Sequence, residues 1–247
     1  METYYTVLAG IAGLVTGSFS NVCIYSIPKG EDFVKRRSHC MNCGAELKWY
    51  DLIPVISFLF LKGKGRYCKK KISVQYPLVE LLTCVAYLII FMVKGPSLSA
   101  CLYCGFTSAL IVLSVIDART REIPIAVNLF IALIGIMVTC IDRTNWTSHA
   151  IGAFAVSAPL LFLYLITKGN GIGGGDIKLA LAAGIVLGWK LVVTGFILGC
   201  ILGTVIHPVI MVLKKADHTL AFGPYMAAGF FVALVYGNQL VYLIYGF

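Results

Sequence analysis

Long uncharged runs, separated by short polar breaks, dominate the chain. They cover Tyr4–Ile27, Leu81–Val93, Gly95–Ile116, Ile123–Ile141, Asn145–Thr167, Leu191–Leu213 and Thr219–Phe247. A helix that crosses a bilayer needs about 20 apolar residues, and the run from Leu81 reaches that length when extended back through Tyr76. A shorter run, Leu179–Trp189, lies between Lys178 and Lys190. It reads either as a short span whose helix opens near Asp176 or as a re-entrant piece. Counting it, the pattern predicts an all-α polytopic membrane protein with about eight transmembrane helices and both termini outside. The expected organisation is a first transmembrane helix over residues 1–27, a polar loop domain over 28–75, and a transmembrane core over 76–247.

Composition excludes the soluble alternative. The chain is 59% hydrophobic and 13% charged, where soluble chains average about 25% charged. Disorder and collagen are excluded on the same ground. The net charge of +9 is unusual beside so apolar a composition, and its distribution explains it. Eleven of the 20 Lys and Arg residues fall between Lys29 and Lys71, beside Glu31, Asp32, Glu46 and Asp51. A basic patch can mark a nucleic-acid site, but excess Lys and Arg in a membrane protein's loop more often marks the cytoplasmic side. No nucleic-acid partner is expected; membrane lipid is. On the eight-helix count only Lys94, Arg143 and Lys190 face outside, and 17 of the 20 basic residues, Lys215 among them, lie inside. No basic residue precedes Lys29, so the first run lacks the basic n-region of a cleavable signal peptide.

Two of the 11 acids stand at helix ends facing the membrane. Asp117 follows Ala109–Ile116, and Asp176 follows Gly171-Ile172-Gly173-Gly174-Gly175. An ionisable group at membrane depth is costly and points to function; either acid alone is equally well read as an interfacial cap, Asp176 at a helix N-terminus. As a pair at similar depth they suggest more. Two close carboxylates cannot both ionise, so one can activate water while the other protonates or polarises a carbonyl. Gly173, Gly174 and Gly175 lack Cβ atoms that would keep a substrate backbone away. The glycine run lacks a P-loop ending, and the combination favours proteolysis at the cytoplasmic interface over phosphate binding. A proton-coupled transporter with Asp117 and Asp176 as relay groups is the alternative.

Several segments together resemble the type IV prepilin peptidases, which remove leader peptides from pilins and pseudopilins. The resemblance is carried by Gly17-Ser18-Phe19-Ser20-Asn21-Val22, Asp51-Leu52-Ile53-Pro54 and Ile72-Ser73-Val74-Gln75-Tyr76-Pro77-Leu78-Val79-Glu80. Asp117 with Ile123-Pro124, Gly173-Gly174-Gly175-Asp176-Ile177-Lys178-Leu179 and Phe222-Gly223-Pro224-Tyr225 complete it, in order over most of the chain. The resemblance implies that Asp117 and Asp176 are the catalytic pair of an aspartic endopeptidase in the bacterial inner (cytoplasmic) membrane, its active site facing the cytoplasm. It implies prepilin or pseudopilin precursors as substrates and no cofactor for peptide cleavage. The long loop goes with members that also methylate the new N-terminus using S-adenosylmethionine, and no residue is assigned to that cofactor here.

The nine cysteines do not read as a disulfide framework, because most sit in apolar runs or on the cytoplasmic side. Cys101 and Cys104, a C-x-x-C inside an apolar run, read as packing. Cys40 and Cys43 differ: they lie in the polar loop, with Cys68 to follow. The family's loop carries two C-x-x-C pairs suited to tetrahedral zinc. By that resemblance Cys68 is the last of four ligands, and the position of its partner is Gly65. Three cysteines with zinc, completed by His39 or water, or a metal-free loop held by packing, are the two readings; His39 and Cys40, being adjacent, rarely both reach one metal. The other histidines, His149, His207 and His218, suggest no site, and His218 sits in a polar loop.

Overall fold

The computed structural model describes residues 2–31, 38–40, 42–169, 171–214 and 221–246. Part of the basic loop (Lys35, Arg36, Arg37), Lys215 and His218 lie outside the described residues. Among the described residues the regular structure is helical, with two isolated β-bridges, His39 to Glu46 and Lys64 to Lys71, in the loop. It divides into two compact units, residues 1–112 and 113–247.

The first unit holds α1 (Glu2–Ser26), the short α2 (Ile56–Phe60), α3 (Gln75–Lys94) and most of α4 (Leu98–Thr120). Pro28 and the left-handed Gly30 (φ 64°) stop α1, and Gly95 (φ 71°), followed by Pro96, stops α3. Helices α1 and α3 pack along each other through Gly13 and Gly17, a G-x-x-x-G spacing that lets helix backbones approach closely. A Cβ at Gly13 would stand 2.7 Å from the Cα of Cys84, and one at Gly17 would stand 2.7 Å from the Cα of Glu80. The Tyr87 hydroxyl hydrogen-bonds that of Ser108 at 2.9 Å, tying α3 to α4.

The second unit contains the end of α4, then α5 (Ile125–Ile141), α6 (Trp146–Ala155), α7 (Ser157–Ile166), α8 (Gly174–Leu187), α9 (Trp189–Lys214) and α10 (Gly223–Tyr245). The single apolar run Asn145–Thr167 forms two helices that meet at Val156. Pro159 explains the break: it has no N–H for the carbonyl of Ala155, and its ring crowds that turn. Helix α8 is the centre of this unit, packed by α5, α6, α7, α9 and α10. Leu179, Ala180, Ala182, Ala183, Val186 and Leu187 are all buried, as expected for a helix that is apolar all round. It crosses α6 at Gly152 and Gly184, where a Cβ on either glycine would overlap the other's carbonyl oxygen.

Among the described residues, five helical stretches are long and apolar enough to cross a membrane: Thr3–Lys29, Gln75–Lys94, Leu98–Thr120, Arg143–Ile166 and Trp189–Val212. Ile125–Ile141 and Gly223–Gly237 are shorter apolar helices. Outward stripes such as Ile197, Ile201, Val205 and Val209 on α9 are exposed at i, i+4 spacing, a surface suited to lipid and not to water.

Candidate functional site

Asp117 lies in the last turns of α4 and is buried, only 5% exposed. Its Oδ2 accepts the backbone N–H of Gly223, the first residue of α10, at 2.9 Å. The first N–H groups of a helix have no partner within it, so Asp117 satisfies one and meets the positive end of the helix dipole. Gly223 has to be glycine for this contact: a Cβ there would stand 2.7 Å from the same oxygen. Pro224 at the second helical position fixes the start of α10 without losing a needed donor.

Asp176 is the third residue of α8, and its carboxylate accepts the N–H of the N-cap residue Gly173. This is half of a capping box. The Asp117 carboxylate is near enough for the two negative charges to act on each other. The turn after α4 completes the surroundings. Arg121 takes a left-handed conformation (φ 58°) and donates its N–H to the Asp117 carbonyl at 2.8 Å, and Ile123 packs on Gly175.

The three glycines before Asp176 differ in what surrounds them. A Cβ at Gly175 would lie 3.0 Å from Ile123, and one at Gly173 would lie 3.0 Å from Asp176 Oδ2. A side chain at either position would press on a neighbouring side chain of the protein, although Gly173 itself is exposed. Gly174 has no atom within 4 Å of the corresponding position and borders open space.

The loop thiols form a second cluster, in the first unit. The Sγ atoms of Cys40, Cys43 and Cys68 all lie within 4.8 Å of one another, and Cys40 and Cys68 are 3.8 Å apart. A tetrahedron with Zn–S bonds of about 2.3 Å has edges of about 3.8 Å. Two turns with matching hydrogen bonds present these thiols. In the first, the Cys40 N–H donates to Ala45 and the Gly44 N–H to Cys40, both at 2.8 Å. In the second, the Gly65 N–H donates to Lys70 at 2.8 Å and the Lys69 N–H to Gly65 at 2.9 Å. The left-handed residue is Gly44 (φ 72°) in one turn and Lys69 (φ 57°) in the other. Gly65 thus occupies in the second turn the place of Cys40 in the first, and a Cβ there would stand 3.2 Å from Cys68 Sγ.

Burial opposes ionisation of Cys40, but N–H groups of Asn42 and Cys43 and the two neighbouring thiols bring it below the ordinary thiol value. At Cys43 the Ala45 N–H favours the thiolate, but sharing the site with Cys40 outweighs it and pushes that thiol up. Three donors of the tetrahedral set are thus together, and the fourth position carries no side chain. Asp51 braces the second turn, accepting from Arg66 Nε at 2.5 Å and the Tyr67 hydroxyl at 3.1 Å.

Sequence reasoning gave Glu80 no role, although an acid inside an apolar run is the same signal that singled out Asp117. Glu80 is buried and accepts the N–H of Val55 at 2.7 Å. The contact between Asp117 and Gly223 joins residues 106 apart and had no local signal.

Two family models match the chain: the bacterial peptidase A24 N-terminal domain over residues 11–94, and the type IV leader peptidase family over residues 104–207. Among its relatives is a Bacillus subtilis (strain 168) protein, 32% identical, with 94% of each chain covered. One from Vibrio cholerae is 34% identical over 82% of this chain and 85% of its own, and one from Pectobacterium carotovorum is 31% identical over 89% of each. All three are named prepilin leader peptidase/N-methyltransferase. No solved structure matches the chain. With relatives this similar along nearly its whole length, the chain belongs to the type IV leader peptidase family.

Proposed function

We propose that this protein removes the leader peptide of type IV prepilin or pseudopilin precursors with Asp117 and Asp176, and then N-methylates the new N-terminal residue with S-adenosylmethionine. One observation carries the peptidase reading: two buried or half-buried carboxylates whose charges act on each other, each held by a backbone N–H at a helix start. Gly223 fixes the orientation of one carboxylate and Gly173 that of the other. One carboxylate takes a proton from the attacking water while its partner, holding a proton, donates to the scissile carbonyl. Gly174, open on its outer side, is where a substrate backbone approaches.

The names of the relatives support the methyltransferase half, and S-adenosylmethionine supplies the methyl group when bound. Zinc fits the loop as a structural ion held by Cys40, Cys43 and Cys68, with Gly65 leaving the fourth position to water or a small ligand. It takes no part in peptide cleavage. The same proposal includes eight crossings with both termini outside, the loop over 28–75 in the cytoplasm and an active site open to the cytoplasm. The charge bias of the loops and the eight apolar runs support that topology.

The test is incubation of the purified protein with a prepilin peptide and S-adenosylmethionine, followed by mass spectrometry of the new N-terminus. Cleavage before the hydrophobic helix with a gain of one methyl group is expected. Cleavage without methyl transfer would leave a peptidase alone; proton-driven uptake in vesicles without any cleavage would favour the transporter.

A further inference from the structure

The first unit contains a cavity of about 480 Å³ that the peptidase chemistry does not use. It lies between the polar end of α1, the loop turns and the start of α3, and it is bounded by Tyr25, Asp51, Arg66, Lys71, Tyr76 and Glu80 among others. Its size falls within the range of about 300–1,000 Å³ that takes small molecules and cofactors.

Glu80 gives the cavity its chemical character. It is 6% exposed, and its carboxylate receives the Val55 N–H and the Ser18 hydroxyl. Among the described residues no cationic group acts on it. A buried carboxylate without a cation is expensive to ionise, and a cationic ligand at the cavity wall would offset that cost. Val55 reinforces the point. It is β-branched and held at φ 60°, ψ −47°, a conformation that persists only where the surroundings impose it and that clusters at ligand sites. The result is an N–H aimed at Glu80.

Aromatic rings supply a second feature that suits a cation. Tyr25 and Tyr76 stack with centroids 5.7 Å apart and planes 15° from parallel, and both line the cavity. Such faces attract cations and accept a flat base. Asn21 holds the backbone at the start of α3, donating to the Tyr76 carbonyl at 3.1 Å and accepting from the Gln75 side chain at 3.3 Å. Lys71 also lines the cavity and suits a carboxylate. The required ligand has a cationic centre, a flat aromatic part and a carboxylate.

We propose that this cavity binds the sulfonium methyl donor, with Glu80 opposite its cationic centre, the Tyr25–Tyr76 pair beside it and Lys71 toward its carboxylate. The inference rests on the methyltransferase half of the reading above and gives it a location. In the transfer, the lone pair of a neutral amine attacks the methyl carbon and the C–S bond breaks. Its electron pair goes to sulfur, which becomes a neutral thioether. The positive charge passes to nitrogen, which then loses a proton to solvent. Glu80 would hold the cationic centre of the donor in the bound state, before the charge leaves sulfur.

The test is equilibrium binding of radiolabelled S-adenosylmethionine to the full chain in detergent, with ultraviolet cross-linking and peptide mapping of the wild type. Cross-links to peptides carrying Ser18–Tyr25 or Tyr76–Glu80 are expected. Glu80→Gln keeps an oxygen for the Val55 N–H and removes the charge, and should weaken binding about tenfold or more. Tyr76→Leu should weaken it as well. Cross-links confined to residues 113–247, or both variants binding as wild type does, would overturn the cavity assignment and leave methylation standing. A wild type that cleaves prepilin yet binds no donor would overturn the methylation reading itself, and with it this site. Protection of the cavity by a basic leader peptide instead of the donor would reassign it to substrate. The cross-link map needs no variant, so a Glu80→Gln protein that fails to fold still leaves a decisive result.

Discussion

Gly65→Cys is expected to convert a three-thiol site into a full zinc site. A Cβ at this position stands 3.2 Å from Cys68 Sγ, so the neighbour must yield by a few tenths of an ångström. The new sulfur enters a cluster whose Cys40–Cys68 edge is already 3.8 Å, the edge of a zinc–thiolate tetrahedron. The backbone needs no change, because the 65–70 turn repeats the hydrogen bonds of the 40–45 turn. Structural four-ligand zinc sites bind with about 10–16 kcal/mol, or about 3 kcal/mol per ligand. Allowing for the crowding at Cys68, the substitution should tighten zinc by about two orders of magnitude in Kd. Competition against a chromophoric chelator measures this, with Gly65→Ala as the steric control. Zinc affinity that is unchanged in Gly65→Cys, or raised equally by Gly65→Ala, would refute the equivalence of the two turns.

Other substitutions test separate parts of the site. Gly223→Ala places a Cβ 2.7 Å from Asp117 Oδ2; prepilin cleavage should fall at least about tenfold, measured as kcat with helical content unchanged. Gly174→Ala meets no protein atom within 4 Å, so its thermal midpoint should stay at the wild-type value while KM for the peptide rises; unchanged kinetics would remove Gly174 from the substrate path. Burial pushes the Asp51 carboxyl up, but Arg66, the Lys48 N–H and the Tyr67 hydroxyl outweigh it and hold it below its ordinary value. A lowered folded-state pKa contributes stability above the unfolded value near about 4, and that contribution is lost as pH falls through the folded value. Asp51→Asn should therefore lower stability at pH 7 by about 1 kcal/mol, the solvent around Arg66 keeping the loss small, and lower the thermal midpoint with it. It should also flatten the acid limb of a midpoint-against-pH series, and an unaltered acid limb would contradict the assignment.

How much of this was legible beforehand depended on how local each signal is. Apolar runs announce helices by length alone, and each run read from the sequence contains helix in the structure. The break at Val156 needed Pro159 to be weighed against an otherwise continuous run. The central place of α8 was hidden because its run is short and bracketed by Lys178 and Lys190, while its burial comes from five neighbours distant in sequence. The glycine run was visible, yet of Gly173, Gly174 and Gly175 only Gly174 has no protein atom within 4 Å of an added Cβ. Gly173 and Gly175 are required by Asp176 and Ile123, contacts that no spacing rule contains. The thiol cluster was readable from spacing, because paired turns repeat locally. Glu80 needed its cavity to acquire a meaning.

The central claim is that Asp117 and Asp176 act together on a peptide bond. Asp117→Asn and Asp176→Asn keep the size of the side chain and an oxygen for the Gly223 or Gly173 N–H, and remove the ionisable carboxyl proton. The direct measurement is the rate of prepilin leader cleavage by each variant, inserted and purified as the wild type is. Loss of about three orders of magnitude in each single variant is predicted, and cleavage at the wild-type rate by either one would contradict the account.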